Sequence, residues 1–283
     1  MMSRLRAFRF ALALFGAALG CDANVVDAVK EPPPETEPEP LSPLQTKLIH
    51  RYSFDGDGTL AVDSKFQAHG EVVGTTLAGD GTLSLLGEKS MQHVDLPNHL
   101  ISGWNDATFE AWLTWRGGNA WQRIFDFGNS SEGEGAQGKD GTSYLFLTVA
   151  SGNDLARGLS PALRAAFSTD GVNNEDICHG SSPLPVDQPT HVALVIDHGN
   201  QRMILYRDGA LESECDCASA IENECDFGRP LSLIDDVNNW LGRSNYAADA
   251  DFSGSFDEFR IYGAALTAEE LADSFEAGPN AER

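Results

Sequence analysis

The sequence predicts an all-β sandwich. About twelve short runs rich in β-branched and aromatic residues recur between Leu48 and Tyr262, each bounded by Gly, Asn or Asp turn signals. No helical periodicity appears before Thr267. Runs such as Val192-Ala-Leu-Val-Ile196 are apolar at every position, as central strands covered on both faces would be.

Taken in order, residues 1–21 read as a targeting segment and not as part of the fold. Arg4, Arg6 and Arg9 precede a short apolar run from Phe10 to Leu19, which ends in Ala18-Leu19-Gly20-Cys21. This resembles a bacterial lipobox, and the resemblance implies lipidation at Cys21, export, and anchoring in the cell envelope through acyl chains only. Residues 22–47 read as a tether, because Glu31-Pro-Pro-Pro-Glu-Thr-Glu-Pro-Glu-Pro40 is acidic, proline-rich and poor in apolar residues.

From Leu48 the pattern is strand, turn, strand. Leu48–Phe54 runs into the turns Asp55-Gly56 and Asp57-Gly58, and Thr82–Leu86 and Met91–Leu96 flank Gly87-Glu88. Thr108–Trp115, Gln122–Phe127, Ser143–Val149 and Leu163–Phe167 follow. The clearest hairpin joins His191–Asp197 to Arg202–Tyr206 through Gly199-Asn200. In the last strand, Phe259 and Ile261 share one face, and Glu258 and Arg260 the other. Thr267-Ala-Glu-Glu270 is a capping box, so a short helix closes the domain and Gly278-Pro279 stops it. No boundary interrupts residues 48–277, which read as one domain, and 278–283 form a tail.

With 19 Lys+Arg against 43 Asp+Glu, the chain carries a net charge of -24. Such a surface repels nucleic acid and anionic lipid headgroups and suits neutral glycans, basic partners or divalent cations. Beyond Cys21 stand Cys178, Cys215, Cys217 and Cys225. In an exported chain these favour two disulfides, preferentially Cys178–Cys215 with Cys217–Cys225. A zinc site with His179 is the alternative, for which the C-x-C spacing is poor.

Several stretches resemble LamG-like jelly-roll domains. They are His50-Arg-Tyr-Ser-Phe-Asp through Asp63, Phe109-Glu-Ala-Trp-Leu113, the His191–Gly209 hairpin, Trp240-Leu-Gly-Arg-Ser244, and Phe252 to Leu271. The resemblance implies a concanavalin A-like sandwich of two curved antiparallel sheets, in a family of mostly carbohydrate- or protein-binding modules. It also implies a structural Ca2+ between the first and last strands, with Asp63 and Asp257 as ligands and Asp55 nearby, although Phe66-Gln67 stands where the family pattern has Gly-Asn; the alternative is that Asp63 caps a turn and Asp257 bonds a backbone amide or Arg260.

Trp104, Trp121 and Tyr246 lie in or beside loops, where aromatic rings can stack on sugar faces, whereas Trp112, Trp115 and Trp240 read as core. Paired carboxylates sharing a strand face, as glycan cleavage requires, are absent, and so are nucleophile-elbow and His-Glu-x-x-His motifs. The expectation is therefore a monomeric, non-catalytic binding module, for carbohydrate first and for an envelope or extracellular protein second.

Overall fold

The computed structural model describes residues 42–216 and 229–281. Cys21, Cys217 and Cys225 lie outside this range. In chain order the helix α1 (Pro43–Lys47) precedes β1 (Leu48–Tyr52), β2 (Asp57–Gly58), β3 (Leu60–Ala61), β4 (Gly70–Val73), β5 (Leu77–Ala78), β6 (Leu83–Glu88), β7 (His93–Leu96) and β8 (Ala107–Trp115). Then come β9 (Arg123–Ser130), β10 (Gly141–Thr148), β11 (Arg164–Ser168), β12 (Asp176–His179), β13 (Pro189–Asp197), β14 (Arg202–Arg207) and β15 (Ala210–Asp216). β16 (Asn238–Leu241), β17 (Asp251–Tyr262) and α2 (Ala268–Ala277) complete the unit.

The strands form two antiparallel sheets and one small two-stranded ladder of β2 and β5. The seven-stranded sheet runs β1-β17-β8-β13-β14-β15, and β6 continues the β1 edge of the long strand β17. The eight-stranded sheet runs β12-β11-β10-β9-β16-β7-β4-β3. The first and last strands pair as expected, with Tyr52 opposite Phe259.

Period-2 alternation sends one side of each strand into the space between the sheets. Phe109 of β8, Phe125 and Phe127 of β9 and Phe259 of β17 meet there, with Phe125 centred 4.9 Å from both Phe109 and Phe127 and 5.8 Å from Phe259. Val192, Leu194 and Ile196 face this core, whereas Ala193 and Val195 face outward under Leu271 of α2 and Leu44 of α1. The doubly apolar β13 is thus explained by helices lying on the outer face.

Helix α2 begins with the expected capping box, Thr267 to Glu270, with Leu266 and Leu271 buried. Helix α1 corrects the tether boundary. Ser42 and Gln45 form a second capping box with Pro43 at the first helical position, Leu44 is buried, and Lys47 pairs with Glu270. Folded structure therefore starts before Leu48.

Trp115 joins the inter-sheet core, but Trp112 and Trp240 do not. They are buried on the outer faces, under Arg260 and Arg243 respectively. The expected Cys178–Cys215 disulfide is present; it joins β12, at one edge of the eight-stranded sheet, to β15, at one edge of the other. Among the described residues, no helix is long and apolar enough to cross a membrane.

Candidate functional site

The outer face of the eight-stranded sheet carries polar chemistry that a sandwich of this size does not need for stability. Alternation turns Asp126 of β9 and Tyr144, Phe146 and Thr148 of β10 away from the core. Asp126 stands in register with Phe146 on one side and Trp240 on the other. It accepts from the Asn245 side chain (2.9 Å) and amide (3.0 Å) and from Arg123 Nε (3.2 Å). Burial pushes its carboxyl up, and the Arg123 charge and the Asn245 donors oppose the push. Arg123 also pairs with Asp249 (2.8 Å) and lies 3.8 Å over the Phe146 ring.

Beside this pair runs a chain of hydroxyls. Tyr246 donates to the Tyr144 hydroxyl (3.1 Å), which donates to Glu175 (2.6 Å). Burial pushes the Glu175 carboxyl up, and burial with the neighbouring Glu175 charge pushes the Tyr144 phenol up.

Two loop straps cover the centre of this face. Residues 131–140 bond to residues 244–247 through Gly138 N–H to Asn245 O (2.9 Å), Ala247 N–H to Gly138 O (2.7 Å) and Gln137 to Ser244 O (2.8 Å). Asn238 holds the first strap to the sheet, accepting from Gly135 N–H at 2.7 Å. Beneath them Trp240 is 1% exposed, Phe146 2%, and Tyr144 and Asp126 0%.

Beside this face lies an accessible cleft of about 470 Å3, lined by Glu88, Lys89, Asn119, Ala120, Trp121, Ala248, Asp249 and Ala250. Three loops, following β6, β8 and β16, converge there. Trp121 has φ 69° and Glu88 φ 54°, left-handed backbone that costs free energy in non-glycine residues. The Trp121 amide is fixed to Ala150 O (2.7 Å). Gly152 leaves room for its ring, since a Cβ there would lie 2.8 Å from the indole nitrogen. Arg123 and Arg164 stand 5.7 and 5.3 Å from the ring centre. Lys89 spends its ammonium on the carbonyls of Ala247 (2.7 Å) and Asp249. Among the described residues, the Glu88 carboxylate and the Asn119 side-chain amide have no hydrogen-bond partner, and both are exposed.

Of the three expected aromatic residues, Trp121 and Tyr246 flank one cluster on this face. Trp104 is elsewhere, stacked on His50 at 6.1 Å. The three aspartates are not gathered into one cluster. Asp63 accepts from the Arg51, Lys65 and Ala68 amides and from His50 Nδ1 (3.1, 3.0, 3.3 and 2.8 Å), which fills its lone-pair positions. Asp55 is exposed, Asp257 sits half-buried at a bulge in β17 with its carboxyl pushed up by burial, and no metal-holding group of three His, Cys, Asp or Glu exists among the described residues. Arg123, Asp126, Glu175 and Glu88 escaped the sequence reading. The signal for the first two was a pair of opposite charges, Arg123 and Asp126, in the otherwise apolar run Arg123–Phe127.

No curated protein sequence matches the chain significantly. Three solved structures share its fold. One is domain 4 of AbnA, a GH43 extracellular arabinanase from Geobacillus stearothermophilus, in complex with arabinotriose. It has a TM-score of 0.50 and 19% identity, with 80% of this chain and 97% of that one covered. Another is the CBM40 of the Ruminococcus gnavus IT-sialidase bound to α2,3-sialyllactose, at TM-score 0.51 and 16% identity over 68% and 95% of the two chains. The Trypanosoma rangeli sialidase matches at TM-score 0.53 and 14% identity over 82% of this chain but 33% of its own. At these identities the likeness is one of fold. The laminin G-type family model described as the concanavalin A-like lectin/glucanases superfamily matches residues 86–272, more than half of the sequence, and the chain belongs to that superfamily.

Proposed function

We propose that this protein is a non-catalytic carbohydrate-binding module whose site is the Trp121 cleft. The observation that carries the reading is Trp121 itself, a bulky residue held in left-handed backbone at the rim of an accessible depression beside a polar sheet face. Two neighbours in fold, domain 4 of the arabinanase and the CBM40 of the sialidase, are seen with arabinotriose and sialyllactose bound, which supports a saccharide ligand. Glycoside hydrolysis needs two carboxyl groups flanking the bond. In this cleft Glu88 is uncommitted, but Asp249 is engaged by Arg123 and Ser244. A glycan array probed with the purified protein tests the reading. Binding should appear and should weaken about tenfold or more in Trp121→Ala, the loss of one aromatic platform. Failure of every saccharide to bind, with capture of an envelope protein instead, would favour the adhesive alternative.

We propose also that the module is exported as a monomer and anchored through acyl chains on Cys21. The basic and apolar leader supports this, as does the Cys178–Cys215 disulfide, which suits an oxidising compartment. Replacing Cys21 by Ser should move the protein from the membrane to the soluble fraction; a variant that stays on the membrane would refute the anchor.

A further inference from the structure

The chemistry of the cleft restricts which sugar it accepts, and this inference rests on the carbohydrate reading above. Most donors of the cations near the cleft have partners, the exception being Arg164 Nη2, which is buried without one among the described residues. Arg123 is paired with Asp126 and Asp249, Lys89 with two backbone carbonyls, and Arg164 with Asp154 and His179. Among the cleft's lining residues, the Glu88 carboxylate and the Asn119 amide are exposed and have no hydrogen-bond partner among the described residues, while the Lys89 ammonium is held by the backbone carbonyls of Ala247 and Asp249. A carboxylate accepts hydrogen bonds from sugar hydroxyls and repels a second carboxylate. The chain's net charge of -24 adds to that repulsion.

The shape of the face restricts how the sugar enters. A polysaccharide lying across the sheet would need the face above Trp240, Asp126 and Tyr144, but these are at most 1% exposed. The straps above them are closed by mutual backbone hydrogen bonds and by the Asn238 and Tyr246 anchors. The short cleft beside this face remains open.

The geometry points to recognition of the uncharged terminal residue of a glycan, with Trp121 as platform and Glu88 and Asn119 as hydroxyl partners, and to exclusion of acidic sugars and internal chain segments.

The test uses the intact protein and three sets of probes. These are short neutral oligosaccharides, the same oligosaccharides capped with sialic acid or a uronate, and a long neutral polysaccharide before and after endo-cleavage at equal mass. Neutral ends should bind, acidic caps should weaken binding about tenfold or more, and cleavage should raise capture in proportion to new chain ends. Glu88→Lys, on an exposed side chain, should keep the wild-type Tm, lose the neutral ligands and gain acidic ones. Acidic ends bound as well as neutral ones, capture unchanged by cleavage, or a Glu88→Lys variant with wild-type preference would each overturn the inference while leaving carbohydrate binding intact. An array with no bound saccharide would overturn both.

Discussion

Arg260 donates from Nε to Glu258 Oε1 at 2.6 Å, two residues along β17 and beneath the C-terminal helix. Arg51 of β1 donates to both oxygens of the same carboxylate. Arg260 reaches on to Ser274 of α2 (3.2 Å) and to the Pro279 carbonyl (2.7 Å), and it covers the Trp112 ring. Burial raises the Glu258 carboxyl, and the two guanidiniums oppose that. Glu110 of β8, also buried, stands 3.7 Å from Arg260, so two arginines face two buried carboxylates where the first strand, the last strand and the helix meet. Removing one partner of such a set leaves an uncompensated charge, at a cost of about 3–5 kcal/mol. Arg260→Ala should lose that much in urea unfolding, and Glu258→Gln with Arg260→Met should lose less than the two single changes together. A loss under about 1 kcal/mol would show that Arg51 alone satisfies the Glu258 carboxylate.

His93 gives the fold a pH dependence of definite sign. Its Nδ1 donates to Met91 O at 2.8 Å, so Nε2 is the acceptor facing Arg243 at 3.4 Å. Burial, joined by the Arg243 charge, pushes its pKa from 6.5 down to about 4. Above pH 6.5 the ring is neutral in both folded and unfolded chains, and no stability depends on it. As pH falls from 6.5 to about 4, the unfolded chain takes up a proton that the folded chain refuses. Stability should drop by about 1.4 kcal/mol per pH unit in that window and level off below it. Buried carboxylates titrate nearby, so the informative quantity is the difference between wild type and His93→Gln. That difference should shrink by about 3 kcal/mol across the window; a constant difference would refute the assignment.

Asp63 works as a cap for backbone amides. Burial alone would raise its carboxyl, but the hydrogen bonds from His50 and from the Lys65 and Arg51 amides outweigh it and hold the pKa below the usual range. Its contribution is present at neutral pH and is lost as pH falls through the folded pKa. Calcium and EDTA should therefore leave the Tm of the wild type unchanged, whereas Asp63→Ala should cost about 3 kcal/mol or more by stranding buried donors. A calcium-dependent rise in Tm that Asp257→Ala removes would restore the metal centre.

These residues show what the sequence discloses and what it conceals. Alternation is a local property, so the split of Phe259 and Ile261 from Glu258 and Arg260 was legible, as were the β13–β14 hairpin and the Thr267 capping box. Which element covers an outward side chain is a tertiary property. Trp112 and Trp240 are as buried as core residues, yet each lies under an arginine on an outer face. The cleft depends on three loops far apart in sequence, so Trp121 could be suspected from its loop position but Glu88 could not. For Asp63 the sequence offers both a turn cap and a cation ligand, and it does not show that the Arg51, Lys65 and Ala68 amides all reach its oxygens.

The Cys178–Cys215 bond joins strands at the edges of opposite sheets, with Cα atoms 5.4 Å apart and a sequence separation of 37. β15 is otherwise only half-buried along its length, and its ladder partner is β14 alone. Closing a loop of this size restricts the unfolded chain by about 4 kcal/mol in the chain-entropy treatment. The large core does not depend on it, so reduction should loosen this edge without unfolding the sandwich. Cys178→Ala with Cys215→Ala should lower stability by about 2–4 kcal/mol. Faster amide exchange should be confined to β12 and β15, with the β8, β9 and β17 amides still protected. Loss of protection across all of these strands together would show that the bond holds the whole fold and not one edge.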